Sequence, residues 1–474
     1  MNSILNALPA QRVDAAGKPH VDLRAIIRLA APLMVTNAVQ ALLNLTDLWF
    51  IGRLSTDALA ALSAIYWIVS CAILVFGGVG LAVQTFVAQA YGSRRKARAS
   101  RALWNAWWAT LAIAPMFLAL AFAGPWIIKP FHLDPHIEAL ALEFWKPRMG
   151  GAFIGSMAWA AMGFFNGISA VRYTMAIVVL TTITNAFANQ FFIFELGLGM
   201  KGSAWGTNVA QAVGLTLAMI LFLRGRIGRE FRSNMMWRPS FAVIRAQLVV
   251  GLPIGIMYGA DVLGLALSQM MIAQTGAVGA AATQIVMALT SMAYMPTIGI
   301  ALAGTTLIGQ SIGAGSREWA NRLGNVVITL CAGAMALIAI ALLVGGPWVL
   351  PLFVGAGDAN AAEVVALGLV LLWPAAAYQI FDGLYFGAAF CLRGAGDTRV
   401  PAAAALLLSW LFFVPCAHTL IFAPGQGWID GLPQFGLGAK GGWLALMTYV
   451  ILLGLVMFWR WRQGAWRRVQ LGNA

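Results

Sequence analysis

Charge is the scarcest property of this sequence. Only 10% of its 474 residues are Asp, Glu, Lys or Arg, and 16 are acidic, whereas an ordinary soluble domain carries roughly 25% charged residues. A soluble chain of this length would form about three domains, and so few charges could not cover their surfaces. Cysteine and histidine number four each. Cys71, Cys331, Cys391 and Cys416 are scattered through apolar runs without metal-type spacing or a disulfide framework, and read as small packing residues. His20, His132, His136 and His418 form no HExxH cluster; His132 and His136 could share a helix face but read as part of a solvated outer loop. No Ser/His/Asp arrangement can be argued. No GxxxxGK[ST] occurs, and the longest internal loop, about Arg224 to Ala246, is too short for a nucleotide-hydrolysing domain. The first 24 residues are polar, and the apolar run behind them is too long for a signal-peptide core and lacks a small-residue cleavage site.

What the chain has is hydrophobicity, at 61% apolar residues with a mean hydropathy of +0.81. Twelve apolar stretches, most near the length of about 20 residues that spans a bilayer, run roughly 25–50, 60–88, 103–128, 147–166, 174–194, 203–223, 247–272, 279–306, 325–350, 364–390, 401–422 and 442–459. The sequence therefore predicts an all-α polytopic membrane protein. The net charge of +14 sits in short clusters between apolar runs, such as Arg94, Arg95, Lys96, Arg98 and Arg101. It is not gathered on one folded domain as a nucleic-acid face requires, so no nucleic-acid partner is expected. With both termini placed in the cytoplasm, 24 of the 30 Lys and Arg fall on that side. Arg53, Lys129, Lys146, Arg148, Lys201 and Lys440 fall on the other. That asymmetry supports an even number of spans.

The chain repeats itself. Shifted by 221 residues, Pro32 falls on Pro253, Gln89 and Gly92 on Gln310 and Gly313, and Arg101 on Arg322. Arg172 matches Arg399 at a shift of 227, and Gly197–Gly202 matches Gly436–Gly441 at 239. Each half thus holds six spans, and six is even, so both halves enter the membrane in the same sense. The expected architecture is two six-helix lobes related by a pseudo-two-fold axis along the membrane normal, with a cavity between them. The expected boundaries are an N-terminal tail at 1–24, an N-lobe at 25–223, a linker at 224–246, a C-lobe at 247–459 and a basic tail at 460–474. The GxGxxG runs at Gly197 and Gly436 follow no strand and read as tight interhelical turns rather than dinucleotide fingerprints.

Three acids lie inside apolar runs: Asp47 in span 1, Asp261 in span 7 and Asp382 in span 10. An ionisable residue at the centre of a span costs about 2.5–3.5 kcal/mol and is a functional candidate by default. At about 1.5 Å per residue, Asp261 lies roughly 24 Å beyond Arg245, and Asp382 roughly 16 Å before Arg393. Asp47 is only about 9 Å from Arg53 on the same scale, so snorkelling to the interface is an alternative there. No Lys or Arg lies on these three helices at matching depth. An unpaired carboxylate in such surroundings can take a proton, a metal cation or an organic cation. Tyr378 and Asp382 are four apart and share a helix face. Asn185 and Asn189 are likewise four apart in span 5, and Thr207 lies in span 6. Their oxygens suit a hard monovalent cation, while the Asn pair alone also fits interhelical hydrogen bonding.

These features resemble the MATE (multidrug and toxic compound extrusion) family, in its NorM-type branch. The carriers are Pro32 followed by Leu45–Gly52, Gly251-Leu-Pro253 with an acid eight residues on, Val278–Gln284, Ile308–Gly315 and Leu392–Pro401, in order over about residues 25–460. The resemblance implies two lobes forming a V-shaped cavity, rocker-switch alternating access, and Na⁺ or H⁺ entry driving drug export. It implies that Asp47, Asn185, Asn189 and Thr207 form an N-lobe cation site. Tyr378 and Asp382 match the helix 10 pair of a C-lobe site, and Asp261 matches its helix 7 acid, where Glu is usual and Asp is one methylene shorter.

The expectation is a secondary multidrug antiporter and not an enzyme, in a bacterial inner membrane. Its partners would be small-molecule drugs or toxins and the bilayer, its coupling ion Na⁺ or H⁺, with no resident cofactor and a single chain sufficient. Met and aromatic side chains would line an adaptable cavity. Two other readings stand beside it. A lipid-linked oligosaccharide flippase of the wider superfamily would show a more cationic cavity. A membrane-embedded enzyme would need a nucleophile or metal cluster at depth.

Overall fold

The computed structural model describes residues 8–14, 17–131, 133–354 and 360–471; His132 lies outside them. A short antiparallel hairpin, β1 Gln11–Val13 and β2 Pro19–Val21, pairs Arg12 with His20 ahead of the first span. The regular structure described after it is helical, with an irregular stretch at 422–437 before the last helix. The first half contains α1 Leu23–Gly52, α2 Thr56–Gly92, α3 Lys96–Ile128, α4 Pro135–Gly150, α5 Ala152–Gly167, α6 Val171–Asn189 and α7 Gly199–Leu223. A linker with the short α8 Gly225–Glu230 follows. The second half contains α9 Phe241–Thr275, α10 Ala277–Gly313, α11 Arg317–Val349, α12 Ala361–Ala395, α13 Arg399–Leu407, α14 Val414–Ile421 and α15 Gly438–Gln463.

Among the described residues, eleven helical segments are long and apolar enough to cross a membrane, counting α13, a π-helical turn at Leu408–Phe413 and α14 as one. The fourth crossing completes the twelve and differs from the expected 147–166. It is built from α4 and α5, which meet at Gly151. A side chain there would collide with Asn208, whose amide lies 2.3 Å from where a Cβ would sit. The sequence understated this span because its first turns carry Glu138, Glu143, Lys146 and Arg148, which mask its hydropathy.

Local chemistry sets the helix ends. Asp22 caps α1 by accepting from the amides of Arg24 and Ala25, and Ser55 caps α2 through the amide of Ala58. Pro135 opens α4 behind the cap Asp134, a position where its missing N–H costs nothing. The two GxGxxG runs are tight turns entering α7 and α15: Gly197, Gly199, Gly436 and Gly438 all take positive φ between 51° and 70°, open to glycine at no steric cost. Pro32 and Pro253, matched by the internal repeat, both lie inside helices, α1 and α9.

The two lobes meet where α2 packs on α9 and α10, and α1 on α10. Small residues allow the approach. Gly78 of α2 faces Gly251 and Gly255 of α9, and Gly299 of α10 sits against Met34 of α1. Gln84 donates to the Leu302 carbonyl and to Thr306, Thr85 to the Arg393 carbonyl, and Gln89 to the Gly394 carbonyl. In return Thr306 donates to the Asn166 carbonyl, and Gln310 to the Gly167 carbonyl and Ser169. The last turns of α2 and α10 point to the face that bears both described chain ends. Among the described residues, every side-chain hydrogen bond between the lobes lies in that half of the molecule. Large apolar side chains such as Phe122, Trp126, Phe187, Leu337 and Trp373 are exposed, forming a lipid-facing belt around the joined lobes.

Candidate functional site

The three intramembrane acids occupy two separate centres, one per lobe. In the N-lobe, Asp47 of α1 is turned inward rather than snorkelling towards Arg53, which instead stacks on Trp49 at 4.3 Å. Its Oδ1 accepts from Asn185 Nδ2 at 2.9 Å and Asn189 Nδ2 at 2.6 Å, both on α6. Its Oδ2 accepts from Thr207 Oγ1 of α7 at 3.2 Å. The four predicted residues therefore form one centre, with both amides aimed at the carboxylate. Gly206 makes room for it, since a Cβ there would lie 2.2 Å from Asn189 Oδ1. Asn189 Oδ1 itself is buried without a partner.

Sequence reasoning missed one member of this centre. Arg148, counted to the outer face at the edge of the expected fourth span, lies about thirteen residues into the fourth crossing and within electrostatic reach of Asp47. Its Nη1 donates to Asn208 Oδ1 at 3.4 Å, and Asn208 Nδ2 donates to the Pro147 carbonyl at 2.6 Å. The N-lobe acid thus has three hydrogen-bond donors and a nearby cation.

The C-lobe centre has a different balance. Asp261 of α9 accepts from Tyr449 of α15 at 2.5 Å and from Tyr385 of α12 at 3.1 Å. Neither tyrosine was a sequence candidate. Tyr385 is one α-helical turn from the Phe381–Asp382 pair and could have been flagged by spacing; Tyr449 carried no signal at all. Asp382 of α12 is 6% exposed and feels the Asp261 charge, yet no described residue donates a hydrogen bond to it. Tyr378 does not hydrogen-bond Asp382. Its ring stacks on Trp443 at 6.4 Å, and its hydroxyl is buried and unpartnered beside Thr290 and Tyr294 of α10. Gln379 is fully buried with neither amide atom satisfied. Among the described residues, no Lys or Arg reaches either carboxylate.

Both centres sit beside a π-helical turn, an irregularity that often marks functional sites. Gln190–Glu195 follows directly on Asn189, and Leu408–Phe413 lets Ser409 Oγ donate to the Ala260 carbonyl, one residue from Asp261. The turns fall in the fifth and eleventh crossings, which the internal repeat relates. Asp47 and Asp261 likewise each sit on the first crossing of their half and find a partner on the last, Thr207 or Tyr449. The match is of spans rather than register, because at a shift of 221 Asp47 falls on Ser268.

Two lobes of six crossings, each holding a carboxylate centre at membrane depth, define a two-lobed membrane transporter and not an enzyme. The sequence profile of the MatE family matches residues 32–216 and 253–418. A protein of Burkholderia pseudomallei named "Probable multidrug resistance protein NorM" is 30% identical over 448 residues, covering 92% of each chain. A Burkholderia vietnamiensis protein named "Multidrug resistance protein NorM" is 29% identical over 467 residues, covering 94% of this chain and 95% of its own. A solved structure described as "Crystal structure of MATE in the straight conformation" superposes with a TM-score of 0.79 at 20% identity, over 94% of this chain and 96% of that one. The chain belongs to the MATE family of transporters.

Proposed function

We propose that this chain is a secondary active efflux antiporter that exports amphiphilic, cationic small molecules by alternating access, driven by inward movement of Na⁺ or H⁺. The reading takes 25–223 and 247–459 as the rocking lobes, 224–246 as their linker, and 1–24 and 460–474 as tails. The chain spans a bacterial inner membrane with both termini in the cytoplasm, so the joined half of the lobes is the cytoplasmic half. The relatives' names, which speak of multidrug resistance, support the substrate class.

One observation carries the coupling step: Asp382, buried, and Asp261, half-buried, lie within electrostatic reach of each other, and among the described residues neither has a basic partner. Two neighbouring carboxylates in a low-dielectric site cannot both stay charged and uncompensated. A transported cation supplies the missing charge. Asp382 is the acceptor with free lone pairs, and Asp261, held by Tyr385 and Tyr449, completes the site with the Tyr378 hydroxyl as a further oxygen. Asp47 already has donors and Arg148 beside it, so the N-lobe centre needs no metal ion to be satisfied and serves as a proton-accepting or substrate-sensing centre.

The test is dye efflux from proteoliposomes under an imposed Na⁺ gradient, and separately under a pH gradient of matched size. Efflux under either gradient that disappears in Asp382→Asn, with the variant inserting normally, is the expected result. Parental efflux by a well-expressed Asp382→Asn protein rules the assignment out.

A further inference from the structure

We propose that a cavity at the face bearing both chain ends is a binding site for a phosphate-bearing anion. The cavity holds about 190 Å³ between the ends of α2 and α10, the start of α3 and the C-terminal tail. That is room for a phosphate group and several waters, each of which takes about 30 Å³. Arg98 and Arg101 line it, together with Gln89, Ser93, Gly313 and Leu471. Neither guanidinium pairs with, or hydrogen-bonds to, any described residue, so a half-buried and an exposed cation line one open-mouthed cavity without a described acid to neutralise them. Planar guanidinium forks are the side chains best matched to phosphate oxygens.

The internal repeat supplies the comparison that separates this from ordinary basic surface. At a shift of 221, Arg101 falls on Arg322, Ala97 on Glu318 and Arg98 on Trp319. In the C-lobe, Arg322 pairs with Glu318 at 2.9 Å. Trp319 is 4% exposed there and donates to the Pro9 carbonyl of the N-terminal tail. In the C-lobe copy, therefore, the arginine has an acid partner and the matching position is a buried tryptophan. The N-lobe copy has alanine and arginine in their places, and a cavity remains.

The walls come from both lobes. Leu471 lies against Gly396 of the C-lobe and packs with Ala82 and Phe86 of α2, so an occupied cavity favours the joined arrangement of this face. The phosphate could belong to a free anion or to an anionic lipid headgroup of the adjoining leaflet, and the chemistry of the site is the same for both.

The experiment uses the purified full-length chain in detergent micelles. One arm measures binding of radiolabelled inorganic phosphate by equilibrium dialysis. The other measures retention of phosphatidylglycerol against phosphatidylcholine by native mass spectrometry. Saturable binding of one equivalent is expected in at least one arm, the phosphate arm indicating a free anion and the lipid arm a headgroup. Arg98→Gln with Arg101→Gln should weaken it by about tenfold or more, the scale of charged hydrogen bonds lost, and Arg224→Gln should not. Ala97→Glu, which restores the acid found in the other lobe without removing either arginine, should weaken binding as well and covers the case of a double variant that fails to fold. The same anion should raise the thermal midpoint of the parent and not of these variants. No stoichiometric binding in either arm, or binding that survives Ala97→Glu or the double change, overturns the proposal.

Discussion

At the scale of single residues, the centres differ in how completely each carboxylate is satisfied. Asp47 has three donors, Asp261 two and Asp382 none. Removing a donor destabilises the free carboxylate more than the cation-bound one, so the acid should hold its cation more tightly and release it more slowly. Tyr449→Phe should therefore lower the driving-cation concentration for half-maximal efflux by about tenfold, the scale of a hydrogen bond to a charged group, and lower the maximal rate with it. Concentration-dependence curves in proteoliposomes check this, and an unchanged curve would remove Tyr449 from the site. The acids themselves were legible in the sequence because a charge inside an apolar run has few structural explanations. Their partners were not. Tyr449 is an unremarkable aromatic in a helix near the far end of the chain, 188 residues from Asp261. Arg148 stands beside Lys146 and Pro147 at the outer edge of the expected span, where a cation reads as facing water, and the packing of α4 on α7 carries it to the acid.

At the scale of elements, the crossing of α2 and α10 leaves no room for a side chain from either half. A Cβ on Gly92 would lie 2.0 Å from the Gln310 carbonyl oxygen, and one on Gly313 would lie 2.0 Å from that of Gln89. The two clashes are the same contact seen from each half, since the pairs are related by the 221-residue shift. Gly92→Ala should push the two helix ends apart and weaken the hydrogen bonds from Gln89 and Gln310. Spin labels near the ends of α2 and α10 should then report a longer or broader distance distribution than in the parent. Gly333→Ala in α11, where a Cβ meets nothing within 4 Å, should leave it unaltered; equal distributions in both variants would show that the crossing does not hold the lobes together. The repeat made this pairing visible before the structure, because Gln89–Gly92 and Gln310–Gly313 stand out as matched sequence. It could not say that the matched segments touch. Span 4 shows the opposite case: hydropathy placed its apolar end correctly and lost its charged beginning, where Arg148 turns to Asn208 of α7.

At the scale of the whole molecule, the lobes are tied by the linker as well as by their packed half. Glu230 at the end of α8 accepts from Lys96 of α3 at 2.9 Å and from Arg226 one turn earlier at 2.5 Å. These two partners hold its carboxyl down to about 2, from an ordinary value near 4.5. A depressed carboxyl stabilises the fold above its unfolded value and loses that contribution as pH falls towards its folded one. The tether is therefore intact at any pH above about 4.5 and fades only between there and about 2. Its contribution is also open to screening, because the pair is exposed. Glu230→Gln should make trypsin cleave the linker at Arg226 and Arg229 faster, and added salt should bring the parent towards the same rate, while pH changes between 6 and 8 should leave the parental rate of linker cleavage, corrected for trypsin's own pH dependence, unchanged. Any pH dependence of efflux in that range then belongs to groups other than the Glu230 tether. If Glu230→Gln flattened the pH profile of efflux, the linker and not the buried acids would be setting it.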